Sequence, residues 1–197
     1  MKELAKLVGI LTLICLMSGL LLAWVHRVTE EPIREAKRRQ TLAALEQVLP
    51  PHDNRPDETT VPVLGADGQT NLLFYVATLN GAYTGAAWET ATDQGYGGEI
   101  RIMIGVNSDG AVQGIEILPG HKETPGLGAK IRDDSFKSQF ANKPMRETVW
   151  KVSKDGGAID AITAATVSSK AVTEAVALGL ADYQSHEPRL RETRGEP

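Results

Sequence analysis

The sequence predicts an α+β fold: a single N-terminal transmembrane helix followed by a largely antiparallel sheet domain with flanking helices. Three observations carry this. Leu7 to Val25 is an uncharged apolar run near the start of the chain. Strand-like runs follow, joined by the turn dipeptides Asn80-Gly81 and Asp109-Gly110. From Thr166 onward the apolar residues fall at helical spacing. Hairpins in the middle with helices at the ends mark an antiparallel sheet rather than alternating βαβ units.

At 1.5 Å per residue the first run is about 28 Å long, close to the hydrocarbon thickness of a bilayer. Trp24 stands at its far end, where an interfacial aromatic belongs. The run is long for a signal-peptide core and lacks the small-residue pattern of a cleavage site. Leu13 and Ile14 before Cys15 exclude a lipoprotein signal. A retained anchor is expected. Lys2 and Lys6 precede it, and Arg27, Arg34, Lys37, Arg38 and Arg39 follow, so charge alone leaves the orientation open.

Thr29-Glu30-Glu31-Pro32 opens a second helix expected to stop near Val48, before Pro50-Pro51, with Glu30–Arg34 and Glu35–Arg39 as i,i+4 pairs. Residues 51–62 read as a linker. Strands are expected over Leu72–Thr78, Ala82–Thr90, Glu99–Val106, Val112–Leu118 and Thr148–Val152, and a short helix over Asp133–Ala141. The expected organisation is an N-terminal segment 1–6, a transmembrane helix 7–25, a stalk helix 26–49, a folded domain 50–184 and a charged flexible tail 185–197.

The 197-residue chain is 42% hydrophobic with a net charge of −4, enough for one core and without the basic field that nucleic acid requires. A single cysteine excludes an internal disulfide, an iron–sulfur ligand set and a haem-attachment motif, and no His/Cys cluster suggests a metal site. Redox chemistry in this chain would need an organic cofactor.

Two segments stand apart. Gly120-His121-Lys122-Glu123-Thr124-Pro125-Gly126-Leu127-Gly128-Ala129-Lys130 offers free loop amides and glycines that let a ligand approach the backbone; a plain surface turn fits the composition as well. Asp160-Ala161-Ile162-Thr163-Ala164-Ala165-Thr166-Val167-Ser168-Ser169 packs four hydroxyls among small residues just ahead of the last helix. One or two would serve as helix caps. The rest sit where unpaired amides and the positive end of the helix dipole suit a phosphate. The chain has no P-loop and no GxGxxG fingerprint.

With Gly95-Tyr96-Gly97-Gly98, these strings resemble the FMN-binding domain family. That family includes the G subunit of Rnf-type electron-transport complexes and, more distantly, the C subunit of the sodium-translocating NADH:quinone reductase. The resemblance covers the anchor and most of residues 95–180. It implies FMN joined by a phosphoester to Thr166, made from FAD by a flavin transferase. It implies a single-pass inner-membrane subunit with the C-terminal domain in the periplasm. It also implies other membrane subunits as partners, and electron flow between ferredoxin and NAD coupled to ion transport. Thr163, Ala165, Glu123, Thr124, Gly126, Leu127, Gly128 and Lys130 are the further flavin-contact candidates. The chain departs from the family at Ala164, where glycine is usual. The C subunit of the quinone reductase and a non-redox anchored binding domain remain alternatives. Without an acid–base pair to serve a substrate, catalysis by the chain alone is not expected.

Overall fold

The computed structural model describes residues 2–65, 68 and 71–192. By its contacts the chain divides into two units, Met1–Thr41 and Leu42–Pro197. The described residues of the first are all helical. They belong to α1 (Lys2–Val48), one continuous helix with Pro32 inside it, where a new helix was expected to open. Among the described residues α1 is the one helix long and apolar enough to cross a membrane, and the apolar side chains of its membrane-length stretch are unburied. Arg34 pairs with Glu31 rather than Glu30, and Arg39 pairs with Glu35 at 3.1 Å. Exposed pairs of this kind each contribute only about 0.3–0.5 kcal/mol.

The second unit is a six-stranded antiparallel meander in the order β1-β2-β3-β4-β5-β6. The strands are β1 (Thr60–Leu64), β2 (Asn71–Leu79), β3 (Ala82–Gly95), β4 (Gly98–Asn107), β5 (Ala111–Ile117) and β6 (Lys143–Pro144). Asn80 and Gly81 both take positive φ, the backbone of a tight hairpin turn whose twist matches the strands. The helix α3 (Thr166–Glu192) lies on one face. Its Ala171, Val172, Ala175, Val176, Leu180 and Tyr183 share a core with Phe74, Trp88, Ile102 and Ile104. Tyr183 stacks on Trp88 at 5.3 Å between ring centroids.

The other face is covered by the last turns of α1, where Ala44, Leu45, Val48 and Leu49 pack on Ala77, Ala87, Met103 and Leu118. Cover on both sides explains β4. It is buried at every position from Ile102 to Val106, instead of alternating as its first residues suggest. Gly105 makes the contact possible, since a Cβ there would lie 1.9 Å from the Val48 carbonyl oxygen.

Five expectations are corrected. Residues 60–62, read as linker, belong to β1, an edge strand that tolerates Pro62 because one of its sides carries no ladder bond. Thr148–Val152 is not a strand. Val149 is 54% exposed, and the segment's one ladder contact is a bridge from Val152 to Ile159. Within 133–141 the α-helix α2 is only Asp134–Lys137, preceded by a 3-10 turn at Gly128–Arg132. Strand β3 runs on to Gly95 because its partner β4 continues beside it. The flexible tail expected over 185–197 is helical through Glu192, with Leu190 fully buried. There Arg191 donates to the Ser108 carbonyl at 2.6 Å and lies over the Tyr83 ring. Residues 193–197 of that tail lie outside the described residues.

Candidate functional site

Three segments far apart in sequence meet at one end of α3. They are the β3–β4 hairpin tip at Gly95–Gly98, the loop 121–128 and the turn entering α3. Together they enclose a cleft of about 500 Å³ lined by Tyr96, Glu123, Thr124, Leu127, Gly128, Ala164, Ala165, Thr166, Val167 and Ser168. A roomier hollow of about 670 Å³ is lined by residues of β2, β3 and α3, among them Leu72, Thr90, Leu178 and Ala181. It takes none of the motif residues, so the smaller cleft is the chemically informative one.

The turn into α3 is built by its own polar side chains. Ser153 donates to the Asp160 carboxylate at 2.6 Å, and the Asp160 amide donates to Gln139 at 2.7 Å. Ser169 accepts from the Ile162 amide at 3.0 Å and donates to the Ala165 carbonyl at 2.9 Å. Ala164 is thereby held at φ 64°, in the left-handed region. An alanine there costs about 1–2 kcal/mol that a glycine would not. This is the position at which the resemblance implies glycine.

The first helical bond of α3 runs from the Ser169 amide to the Ala165 carbonyl. The amides of Thr166, Val167 and Ser168 thus precede the ladder and lack acceptors within the helix. They sit at the positive end of a helix long enough to carry a full terminal dipole. The four hydroxyls sort cleanly. Ser168 and Ser169 are buried and bonded, Ser168 to the Glu123 carboxylate at 2.7 Å. Thr163 is exposed and off the cleft wall. Thr166 lies on the wall, and among the described residues its hydroxyl has no hydrogen-bond partner.

From the loop, Glu123 turns inward and is 5% exposed. It accepts from the Gly97 amide at 3.1 Å as well as from Ser168. Gly128 is packed against it, since a Cβ there would meet the Glu123 Oε2 at 2.0 Å. His121 stands half-buried behind. Burial first, and Arg132 second, hold its imidazole below the ordinary range, while Glu123 opposes them.

Of the residues singled out from sequence, Glu123, Thr124, Leu127, Gly128, Ala165 and Thr166 line the cleft, whereas Gly126, Lys130 and Thr163 do not. Sequence reasoning passed over Tyr96, Ala164, Val167 and Ser168 as wall residues. Tyr96 was visible only as part of the Gly-Tyr-Gly-Gly string. Ser168 was one hydroxyl among four, and no local pattern told that it faces Glu123.

The signature of the FMN-binding domain matches residues 95–181, which include all three wall segments, and that of the RnfG N-terminal region matches residues 1–48. The G subunit of the ion-translocating oxidoreductase complex of Aliivibrio fischeri (strain ATCC 700601 / ES114) is 35% identical over 192 residues, covering 92% of this chain and 91% of that protein. Its counterpart in Cereibacter sphaeroides (strain ATCC 17029 / ATH 2.4.9) is 37% identical over 188 residues, covering 92% and 84%. The crystal structure of Shewanella oneidensis NqrC superposes with a TM-score of 0.50 at 18% identity, over 70% of this chain and 71% of that one, a likeness of fold. The chain belongs to the RnfG family, the G subunits of ion-translocating oxidoreductase complexes, with an FMN-binding domain behind its N-terminal apolar helix.

Proposed function

We propose that this chain carries FMN as a phosphoester of Thr166 and relays electrons as one subunit of an ion-translocating oxidoreductase complex. The observation that carries the reading is the sorting of the hydroxyls. Among the described residues, Thr166 alone of the four is both on the cleft wall and free of a hydrogen-bond partner. A phosphate diester on its Oγ meets the unpaired amides of Thr166, Val167 and Ser168 and the helix dipole, worth about 0.3–1 kcal/mol at an exposed site. Covalent attachment keeps the flavin from dissociating between turnovers.

When bound, the flavin supplies the redox chemistry, and the chain supplies position and environment. Leu127 and the backbone at Gly128 give an apolar wall, and Thr124 and Ala165 complete it beside the acceptor. Gly126 and Lys130 lie off the cleft wall, Lys130 as an exposed cation near enough in sequence to serve phosphate charge, and Thr163 shapes the turn. Attachment follows from FAD and a flavin transferase. The Thr166 oxygen bonds to the FMN phosphorus, the pyrophosphate bridge breaks, AMP departs and the hydroxyl proton is released. The resemblance supports a periplasmic domain on an inner-membrane anchor, with residues 1–6 cytoplasmic and 7–25 spanning the membrane; of the stalk expected over 26–49, residues from Leu42 on belong to the folded unit.

The test is in-gel flavin fluorescence after denaturation, with the transferase co-expressed. Thr166→Ala should abolish it while the chain stays folded, because losing one hydroxyl at a helix start costs only about 1 kcal/mol. Ser168→Ala, Ser169→Ala and Thr163→Ala should keep a covalent flavin. Fluorescence that persists in Thr166→Ala and vanishes in one of the others moves the acceptor. No fluorescence in the unsubstituted chain, with an active transferase, removes the flavoprotein reading.

A further inference from the structure

The three wall segments meet on one buried carboxylate. Glu123 Oε1 takes the Gly97 amide of the hairpin tip, and Oε2 takes the Ser168 hydroxyl in the first turn of α3. The space around it is cleared by missing side chains. A Cβ at Gly95 would lie 2.7 Å from Oε1, and one at Gly128 2.0 Å from Oε2. Both donors are neutral. A carboxylate buried in this way is kept for what it joins, because burying it costs several kcal/mol unless its hydrogen bonds are made. Between the two glycines that approach Glu123 and the loop, Tyr96 projects from the tip. It is 75% exposed, yet it lines the same cleft as Thr166. An aromatic ring left in solvent beside a cleft for a planar aromatic ligand has a stacking partner to gain.

We propose that Glu123 is the positioning residue of the cleft. Its carboxylate clips the Gly95–Gly98 tip to the first turn of α3, and so holds the Tyr96 ring against the isoalloxazine of the flavin on Thr166. This deepens the flavin reading and rests on it. The clip accounts for a buried acid on the wall of the cleft. It also accounts for glycine at 128, where a Cβ would meet the carboxylate first, and agrees with glycine at 95, where a Cβ would crowd the Gly98 carbonyl at 2.4 Å as well as the carboxylate.

A tyrosine ring stacked on an excited flavin quenches it. One electron passes from the phenol to the flavin and returns, with no net change in either. Time-resolved flavin fluorescence of the full chain in detergent, purified with its covalent flavin, therefore reads the position of Tyr96. Tyr96→Leu should lengthen the main lifetime severalfold. Glu123→Ala and Ser168→Ala, which open the clip from either side, should lengthen it toward the Tyr96→Leu value. Glu123→Gln should stay close to the unsubstituted chain. Its amide oxygen still accepts from Gly97, and its NH₂ donates to Ser168, whose hydroxyl turns to accept. A folded Glu123→Ala chain that takes no flavin, beside a Glu123→Gln chain that takes it fully, supports the clip equally.

Unchanged lifetimes in Tyr96→Leu overturn the stacking. Unchanged lifetimes in both Glu123→Ala and Ser168→Ala, or a Glu123→Gln chain that behaves like Glu123→Ala, overturn the clip. The lifetime outcomes are read on flavin that is attached, and the attachment outcome is read on the denatured gel beside Glu123→Gln and the unsubstituted chain. Failure of the flavin reading itself shows separately, as no fluorescence in the denatured gel.

Discussion

Ala164 is the residue where sequence and backbone disagree most. The turn into α3 needs φ > 0, and the chain supplies a side chain that resists it. Ala164→Gly should remove about 1–2 kcal/mol of strain and return about 0.4–1 kcal/mol through the freer unfolded chain. The net expectation is a stabilisation between about 0 and about 1.6 kcal/mol, with covalent flavin undiminished. Chemical denaturation followed by circular dichroism measures the first and gel fluorescence the second. His121 gives a second outcome. Its imidazole is held below its ordinary 6.5, chiefly by burial, so between 6.5 and the lowered value the unfolded chain binds more protons than the folded one. Stability therefore rises with pH through that window and is lost as the solution is acidified below 6.5. His121→Gln should flatten this part of the profile. At this scale the sequence was legible in singling out Thr166 and Gly128, which the fold brings to the cleft wall, and Ala164, which takes positive φ. It was not legible for Ser168 and Tyr96, whose places on the wall depend on Glu123, far from both along the chain.

Elements were legible where periodicity and turn chemistry agreed. Asn80-Gly81 and Asp109-Gly110 placed the hairpins β2–β3 and β4–β5, and the apolar stripe placed the start of α3. Two misreadings share one cause, the reading of charge and proline as disorder. Pro62 sits in edge strand β1, and Pro188 sits inside α3. The end of α3 is held by tertiary contacts that local composition does not record. Leu190 is fully buried, Glu187 pairs with Arg146 at 3.3 Å, and Tyr83 and Tyr183 share a hydrogen bond at 2.8 Å beside Arg191. Leu190→Ala should cost about 2–5 kcal/mol. A chain ending after Gln184 should unfold at a clearly lower denaturant midpoint than one ending after Glu192. Equal midpoints for the two would mean that the last helical turns contribute nothing.

Seen whole, the molecule joins a membrane-length helix to a sheet covered on both faces. The anchor was plain from hydropathy, while the side of the membrane was not, because basic residues flank the span at both ends. Alkaline phosphatase fused after Glu192, so that α3 stays intact, should be active if the domain is periplasmic. An inactive phosphatase with an active cytoplasmic reporter at the same point reverses the orientation. The order β1-β2-β3-β4-β5-β6 has a consequence in time. A chain that emerges N-terminus first can zip each strand onto the one already out, with little loop entropy to overcome. The cleft cannot form on that schedule, because one wall belongs to α3, the last element made. On the proposed reading, attachment at Thr166 waits for α3, so a nascent chain stalled before α3 would present the transferase with a sheet and no substrate.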